Sequence, residues 1–264
     1  EGWGKIARQW LDVLRASLPS EHVVLESPEF FVLAAAGGPA GERILHWCEH
    51  FRRTILDSLP GVAKEEGFGK QVVLAFDNDE AFYNYICDFD PEEGDFGAIG
   101  GMFLDRGYGH IVVNAQLAYG LDRIIAHELT HAMLRHLSFP LWLNEGVTQV
   151  VEDIAVGSSQ FLMTPELAKR HREYWNENTI DAFWSGDAFR FADDGQELSY
   201  SLAQVLVLNL MSDFPRKIVD FIRTAEYSDA GDQALQDTCG ANLAERVAQF
   251  LGPGPWQPRA DYWE

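Results

Sequence analysis

His127-Glu128-Leu129-Thr130-His131 is an H-E-x-x-H pentapeptide. On a helix, positions four apart lie ~40° apart around the axis and ~6 Å along it, so two imidazoles can hold one divalent ion. The glutamate between them projects toward the same opening. The chemistry open to such a set is hydrolysis by metal-activated water, with the carboxylate taking the proton. Chance alone places the pentapeptide in roughly one in fifty chains of this length and composition, so its surroundings have to decide.

Those surroundings favour a metal. The apolar residues from Leu121 to Leu137 spread nearly all round the helix, with Ile124 and Leu134 beside the histidines on the wheel, so the helix is expected to be mostly buried. Two imidazoles and a carboxylate in such a place need partners or an ion. His46-Trp47-Cys48-Glu49-His50, which matches the reversed motif H-x-x-E-H, supplies the contrast. There His46, Glu49, His50, Arg53 and Asp57 share one polar arc opposite Ile44, Cys48, Phe51, Ile55 and Leu59, which reads as an ordinary solvated helix face. A catalytic zinc takes three protein ligands plus water. The candidate third is Glu145, in Pro140-Leu141-Trp142-Leu143-Asn144-Glu145-Gly146, where a second helix opens after a short connection.

The elements that must position these residues follow from periodicity. Trp3, Ile6, Ala7, Trp10, Leu14 and Leu18 recur at helical spacing until Pro19-Ser20. His22 to Leu25, Phe30 to Ala36 and Gln71 to Phe76 read as strands, whereas Gly41 to Leu59 and Asp79 to Cys87 read as helices. Phe96 to Leu104 and His110 to Asn114 flank the turn-rich Asp105-Arg106-Gly107-Tyr108-Gly109 and predict a hairpin. After Leu121 almost everything is helical. The shift near Ser138-Phe139-Pro140 predicts two lobes: an α/β lobe at 1–139 that includes the motif helix, and a helical lobe at 140–252. The Gly252-Pro253-Gly254-Pro255 stretch predicts a loose tail over 253–264.

Composition bounds the function classes. The 264 residues carry 20 Lys+Arg against 41 Asp+Glu, a net charge of −21, with 47% apolar residues. That balance repels phosphate backbones, so nucleic-acid binding is not expected, and no apolar run approaches the ~18 residues of a membrane span. Three distant cysteines, Cys48, Cys87 and Cys239, fit neither a disulfide framework nor a cysteine-rich metal site and mildly favour a reducing compartment. The opening on Glu1 rather than Met leaves two expectations for a soluble chain: cytoplasmic, or exported with its leader removed.

H-E-L-T-H followed by W-L-N-E-G resembles the gluzincin metallopeptidases, the thermolysin-like and aminopeptidase-like group, over about Phe96 to Asp153. The resemblance implies a zincin-like α+β fold with the motif helix between the lobes, Zn2+ held by His127, His131 and Glu145, and Glu128 as general base. It also implies a peptide or protein substrate. Thirteen residues separate His131 from Glu145, fewer than is usual in the aminopeptidase branch, so the chain looks more like a compact bacterial peptidase of the same clan.

Further roles rest on the same likeness. Glu152 stands where related sequences carry a supporting glutamate, the alternative being an exposed helix residue; Val150 replaces an aromatic common there. Tyr200, expected to open a helix over Ser201 to Met211, is the best match for an oxyanion donor, the alternative being packing. Tyr108 and His110 are weaker candidates on a hairpin expected to be exposed. In zincins an edge strand before the motif helix pairs with extended substrate, and Gly97 to Phe103 fits that place. Gly100 and Gly101 would admit a peptide backbone, or simply mark a bulge. The competing function is a zincin-fold protein that binds without cleaving, or a hydrolase of something other than peptides.

Overall fold

The apolar runs between residues 22 and 114 form one sheet, and one of the helices that cover it supplies two of the three candidate ligands. A computed structural model of the chain describes residues 2–18, 20–37, 39–65, 67, 69–89, 99–117, 119–191, 193–260 and 263. In chain order the elements are α1 (Gly2–Ser17), β1 (His22–Glu26), β2 (Phe30–Ala35), α2 (Ala40–Ser58), β3 (Gln71–Phe76), α3 (Asp79–Phe89), β4 (Gly101–Leu104), β5 (His110–Asn114) and α4 (Leu121–Leu134). There follow α5 (Leu141–Val156), α6 (Pro165–Tyr174), α7 (Glu177–Ser185), α8 (Asp194–Asp213), α9 (Ile218–Thr224), α10 (Asp232–Cys239) and α11 (Leu243–Leu251). The chain is therefore mixed α and β, and after residue 120 the elements among the described residues are helical. No helix among the described residues is long and apolar enough to cross a membrane.

Two compact units divide the chain. The first holds Glu1–Ser58, Ala63–Arg135 and Ile154–Gly157, and the second holds Leu59–Val62, His136–Asp153 and Ser158–Glu264. The longest segment of the first unit thus ends at Arg135.

In the first unit the five strands run in the order β1-β2-β3-β5-β4. β2, β3 and β5 are parallel to one another, while β1 and β4 pair antiparallel at the two edges. Both faces of the central strands are buried, which is why they read as continuous apolar runs rather than as alternation. Phe31, Leu33, Val72, Leu74, Phe76 and Val112 pack on one face with Ala7 and Leu11 of α1 and Phe82 and Ile86 of α3. α2 packs against β2 and α4, and α4 against β4 and β5. The α2 wheel behaves as expected, with Ile44, Cys48, Phe51 and Ile55 buried and His46 and His50 exposed.

The described part of the second unit is helical, and its core is aromatic. Trp142, Phe183 and Trp184 are fully buried, and the Trp142 and Trp184 rings meet edge to face at 5.6 Å. Of the described residues of the expected loose tail, Trp256 belongs to this core, and Arg259 and Trp263 are bonded to α7. Trp256 is 7% exposed and its carbonyl accepts a 2.9 Å bond from Trp184 Nε1. Arg259 pairs with Glu177 and Asp181, and Trp263 Nε1 donates to Asp181. The Pro/Gly composition marked a segment without regular structure, whereas burial of one tryptophan decides that it is held.

Candidate metal centre

α4 is anchored by its own apolar residues. Ile125, Ala126, Leu129, Thr130, Ala132, Met133 and Leu134 are buried, and none of its residues is fully exposed. The helix ends at Leu134, three residues short of the expected Leu137. His127 and His131 sit one turn apart and half-buried, with ring centroids 4.7 Å apart and Nε2 atoms 3.0 Å apart. Two protonated nitrogens cannot face each other at that distance, so at least one Nε2 presents its lone pair. Glu128 does not hang free beside them: its Oε2 accepts a 2.7 Å bond from the main-chain N–H of Phe103 on β4.

α5 carries Glu145, which is 8% exposed. The helix is fixed on both sides of this residue. Trp142, one turn earlier, is fully buried and donates from Nε1 to Ala230 O at 2.9 Å. Gly146, the next residue, lies so close to α8 that a Cβ there would stand 2.6 Å from Ala203 O and 2.7 Å from Val207 Cγ2. One turn later Gln149 Nε2 donates to Tyr200 O at 3.0 Å and to Glu145 O at 3.3 Å. One donor atom from each of His127, His131 and Glu145 lies within 4.8 Å of the others, and the group could hold a metal ion. The reversed motif on α2 makes no such group among the described residues.

The remaining candidates fall in varied places. Glu152 lies two turns beyond Glu145 on α5, hence on nearly the same side of the helix, and is half-buried. Tyr200 is half-buried, but it does not open a helix. α8 begins at Asp194, so Tyr200 sits in its second turn, with its ring edge against Phe189 at 5.2 Å.

Tyr108 and His110 are not exposed. His110 is 2% exposed, in an aromatic box with Trp10, Tyr85 and Phe89. Its Nδ1–H donates to Tyr108 O at 2.7 Å, leaving Nε2 to accept from the Tyr85 hydroxyl at 2.9 Å. Burial holds its pKa below the ordinary histidine range, against the opposing effect of the Tyr108 bond. The Tyr108 hydroxyl donates to Lys70 O at 2.6 Å.

β4 is the edge strand expected, with Gly101 in it and Gly100 just before; Gly97 and Ala98 of that expected segment lie outside the described residues. A side chain at Gly101 would overlap Ile124 of α4, and one at Gly100 would overlap Ile124 and stand 2.7 Å from Leu117. The glycines therefore admit the motif helix against the strand.

Three contributors were not marked by sequence reasoning. The Phe103 amide is a main-chain group and has no signature in residue type. Gly146 was visible only as the last letter of W-L-N-E-G, and Gln149 had no signal. No family model and no curated protein matches the chain.

Proposed function

We propose that this chain is a zinc-dependent hydrolase of peptide bonds, of the gluzincin kind that the two motifs resemble. The observation that carries the reading is the convergence of the donor atoms of His127, His131 and Glu145 within 4.8 Å. Two imidazole nitrogens and one carboxylate oxygen are a donor set that suits zinc. Nitrogens ~2.0–2.1 Å from a tetrahedral ion stand ~3.3 Å apart, and the 3.0 Å between the two Nε2 atoms is close to that. The residues thus fit the ion, and His127, His131 and Glu145 would hold it. A bound zinc supplies Lewis acidity, polarising a carbonyl and bringing the pKa of water toward ~7.

The rest of the chemistry belongs to the chain. Glu128 accepts the proton of the attacking water and returns it to the leaving amine. Its anchored Oε2 leaves Oε1 for that exchange, so the carboxylate keeps one orientation through both transfers. Tyr200 is the proposed hydroxyl donor to the oxyanion; α8, which carries it, lies against α5 at Gly146.

A peptide-library or casein assay with and without a chelator tests the reading. The wild-type chain should cleave and the chelated chain should not. Glu128→Gln should keep its zinc and lose ~10²–10⁴-fold in kcat, whereas His131→Ala should lose the zinc itself, read by elemental analysis. Tyr200→Phe should lower kcat by ~10²-fold with zinc retained. A metal-loaded chain inert toward peptides would leave a binding protein or another hydrolase in place of the peptidase.

A further inference from the structure

The β4–β5 register decides which main-chain groups of the edge strand are in use. Gly101 pairs with Val113, Met102 with Val112, Phe103 with Ile111 and Leu104 with His110. Asn114 N donates to Gly100 O at 2.9 Å, which makes Gly100 and Asn114 a hydrogen-bonded pair. Because such pairs alternate along an antiparallel ladder, Met102 and Leu104 bond to β5, while Gly101 and Phe103 turn their N–H and C=O outward. An outward amide on an edge strand ordinarily goes to water. That of Phe103 goes instead to Glu128 Oε2, at 2.7 Å.

The contact is built from both sides. With no side chain at Gly101, Ile124 lies against β4 and brings the next turn of α4, where Glu128 stands, to the strand. On the far side of Phe103 the Arg135 guanidinium packs over its ring and donates to Asp105 Oδ1 at 2.7 Å, tying the end of α4 to the turn after β4. We infer that the main-chain N–H of Phe103 is the positioning group for Glu128: it holds one carboxylate oxygen on the edge strand so that the other faces the reacting atoms. The significance of this bond for turnover rests on the function proposed above; the bond itself does not.

Two experiments on the full zinc-loaded chain test the inference, one of them independent of activity. In amide hydrogen exchange read by NMR, Glu128→Ala should speed exchange at Phe103 by ~10-fold or more, the worth of a bond to a charged acceptor, and leave Met102 and Leu104 within ~3-fold. Unchanged exchange at Phe103 would overturn the inference. In kinetics, Phe103→Pro deletes this N–H together with the ring under Arg135, at an edge position where proline breaks no ladder bond and after a residue already extended. It should give a kcat ~10–100-fold below that of Phe103→Ala, which loses the same ring but keeps the amide, with KM and zinc content alike in the two. Equal kcat in Phe103→Pro and Phe103→Ala would also overturn the inference. Should Phe103→Pro lose the protection of Met102 and Leu104, the strand itself has been lost, and the exchange result for Glu128→Ala decides. A wild-type chain with no chelator-sensitive hydrolysis would sink the proposed function, and the exchange comparison would still decide the bond.

Discussion

His171 shows how much a single side chain can be constrained without belonging to the candidate site. It is fully buried; Trp175 Nε1, which can only donate, bonds to its Nδ1 at 2.9 Å. The proton must therefore sit on Nε2, which donates to Ser201 Oγ at 2.9 Å. Phe250 packs edge-on against the ring at 5.1 Å. Burial pulls the pKa down to about 4, the Arg170 charge adds to that, and Glu197 opposes it. The unfolded chain titrates near ~6.5, so between that value and 4 it binds more protons than the folded chain does, and stability falls as the pH falls. The contribution is complete above ~6.5 and gone below about 4, and is worth roughly 3 kcal/mol across the window. His171→Gln can keep both bonds and does not titrate there. Denaturant unfolding at a series of pH values should give a wild-type curve that falls relative to the mutant's between pH 6.5 and 4. Parallel curves would mean that His171 titrates as an ordinary surface histidine.

At the scale of elements, the glycines explain why particular helices lie where the candidate ligands need them. Gly101 lets α4 reach β4, and what fills the space is the Cγ2 methyl of Ile124, 2.4 Å from where a Cβ would stand. Gly146 is stricter, because the nearest atoms a Cβ would meet include the carbonyl carbon and oxygen of Ala203, at 2.9 and 2.6 Å, which cannot rotate aside. Gly146→Ala should push α5 away from α8 and destabilise the protein by about 1–3 kcal/mol, as overpacking does. Because Glu145 is the adjacent residue, zinc affinity should fall with it, by ~10-fold or more. Val207→Ala removes the methyl at 2.7 Å and leaves the carbonyl, so the double mutant should remain impaired in both measurements. Recovery in the double mutant would show that only a side chain was in the way. The elements themselves were largely legible in the sequence: β3 and β5 occur over the residues expected, and α1, α2 and α3 within two residues at each end. A fully covered parallel strand and an amphipathic helix each leave a local pattern. The contacts between Gly146 and Ala203, or Phe103 and Glu128, do not. They join residues 57 and 25 positions apart, through main-chain atoms in one partner at least.

Across the whole chain, what could be read was whatever lies within one turn or one short connection. His127 and His131 announce their convergence because a helix fixes it, and Glu145 was reached as the carboxylate opening the next helix after a short connection. The place of Trp256 was not legible for the opposite reason: Pro253, Gly254 and Pro255 exclude regular structure locally, and nothing local says where the following indole goes. In the folded chain Trp256 is buried, its Nε1 donates to Gly252 O at 2.6 Å, and its carbonyl caps the Trp184 indole. Trp184 in turn packs on Trp142 and Phe183, the aromatic cluster from which α5 starts. Trp256→Ala should therefore cost about 3–5 kcal/mol, the range for emptying a buried aromatic site, while leaving the main-chain bond to Trp184 able to form. Truncation after Gly252 removes that bond as well as the Arg259 pairs with Glu177 and Asp181, so it should be the more destabilising change. Guanidinium midpoints of the two variants, with tryptophan emission as the probe, measure both. If the terminal segment were only loosely attached, each would fall within about 0.5 kcal/mol of the intact chain, as surface changes do. The carbonyl of Trp256 would then have no part in holding Trp184.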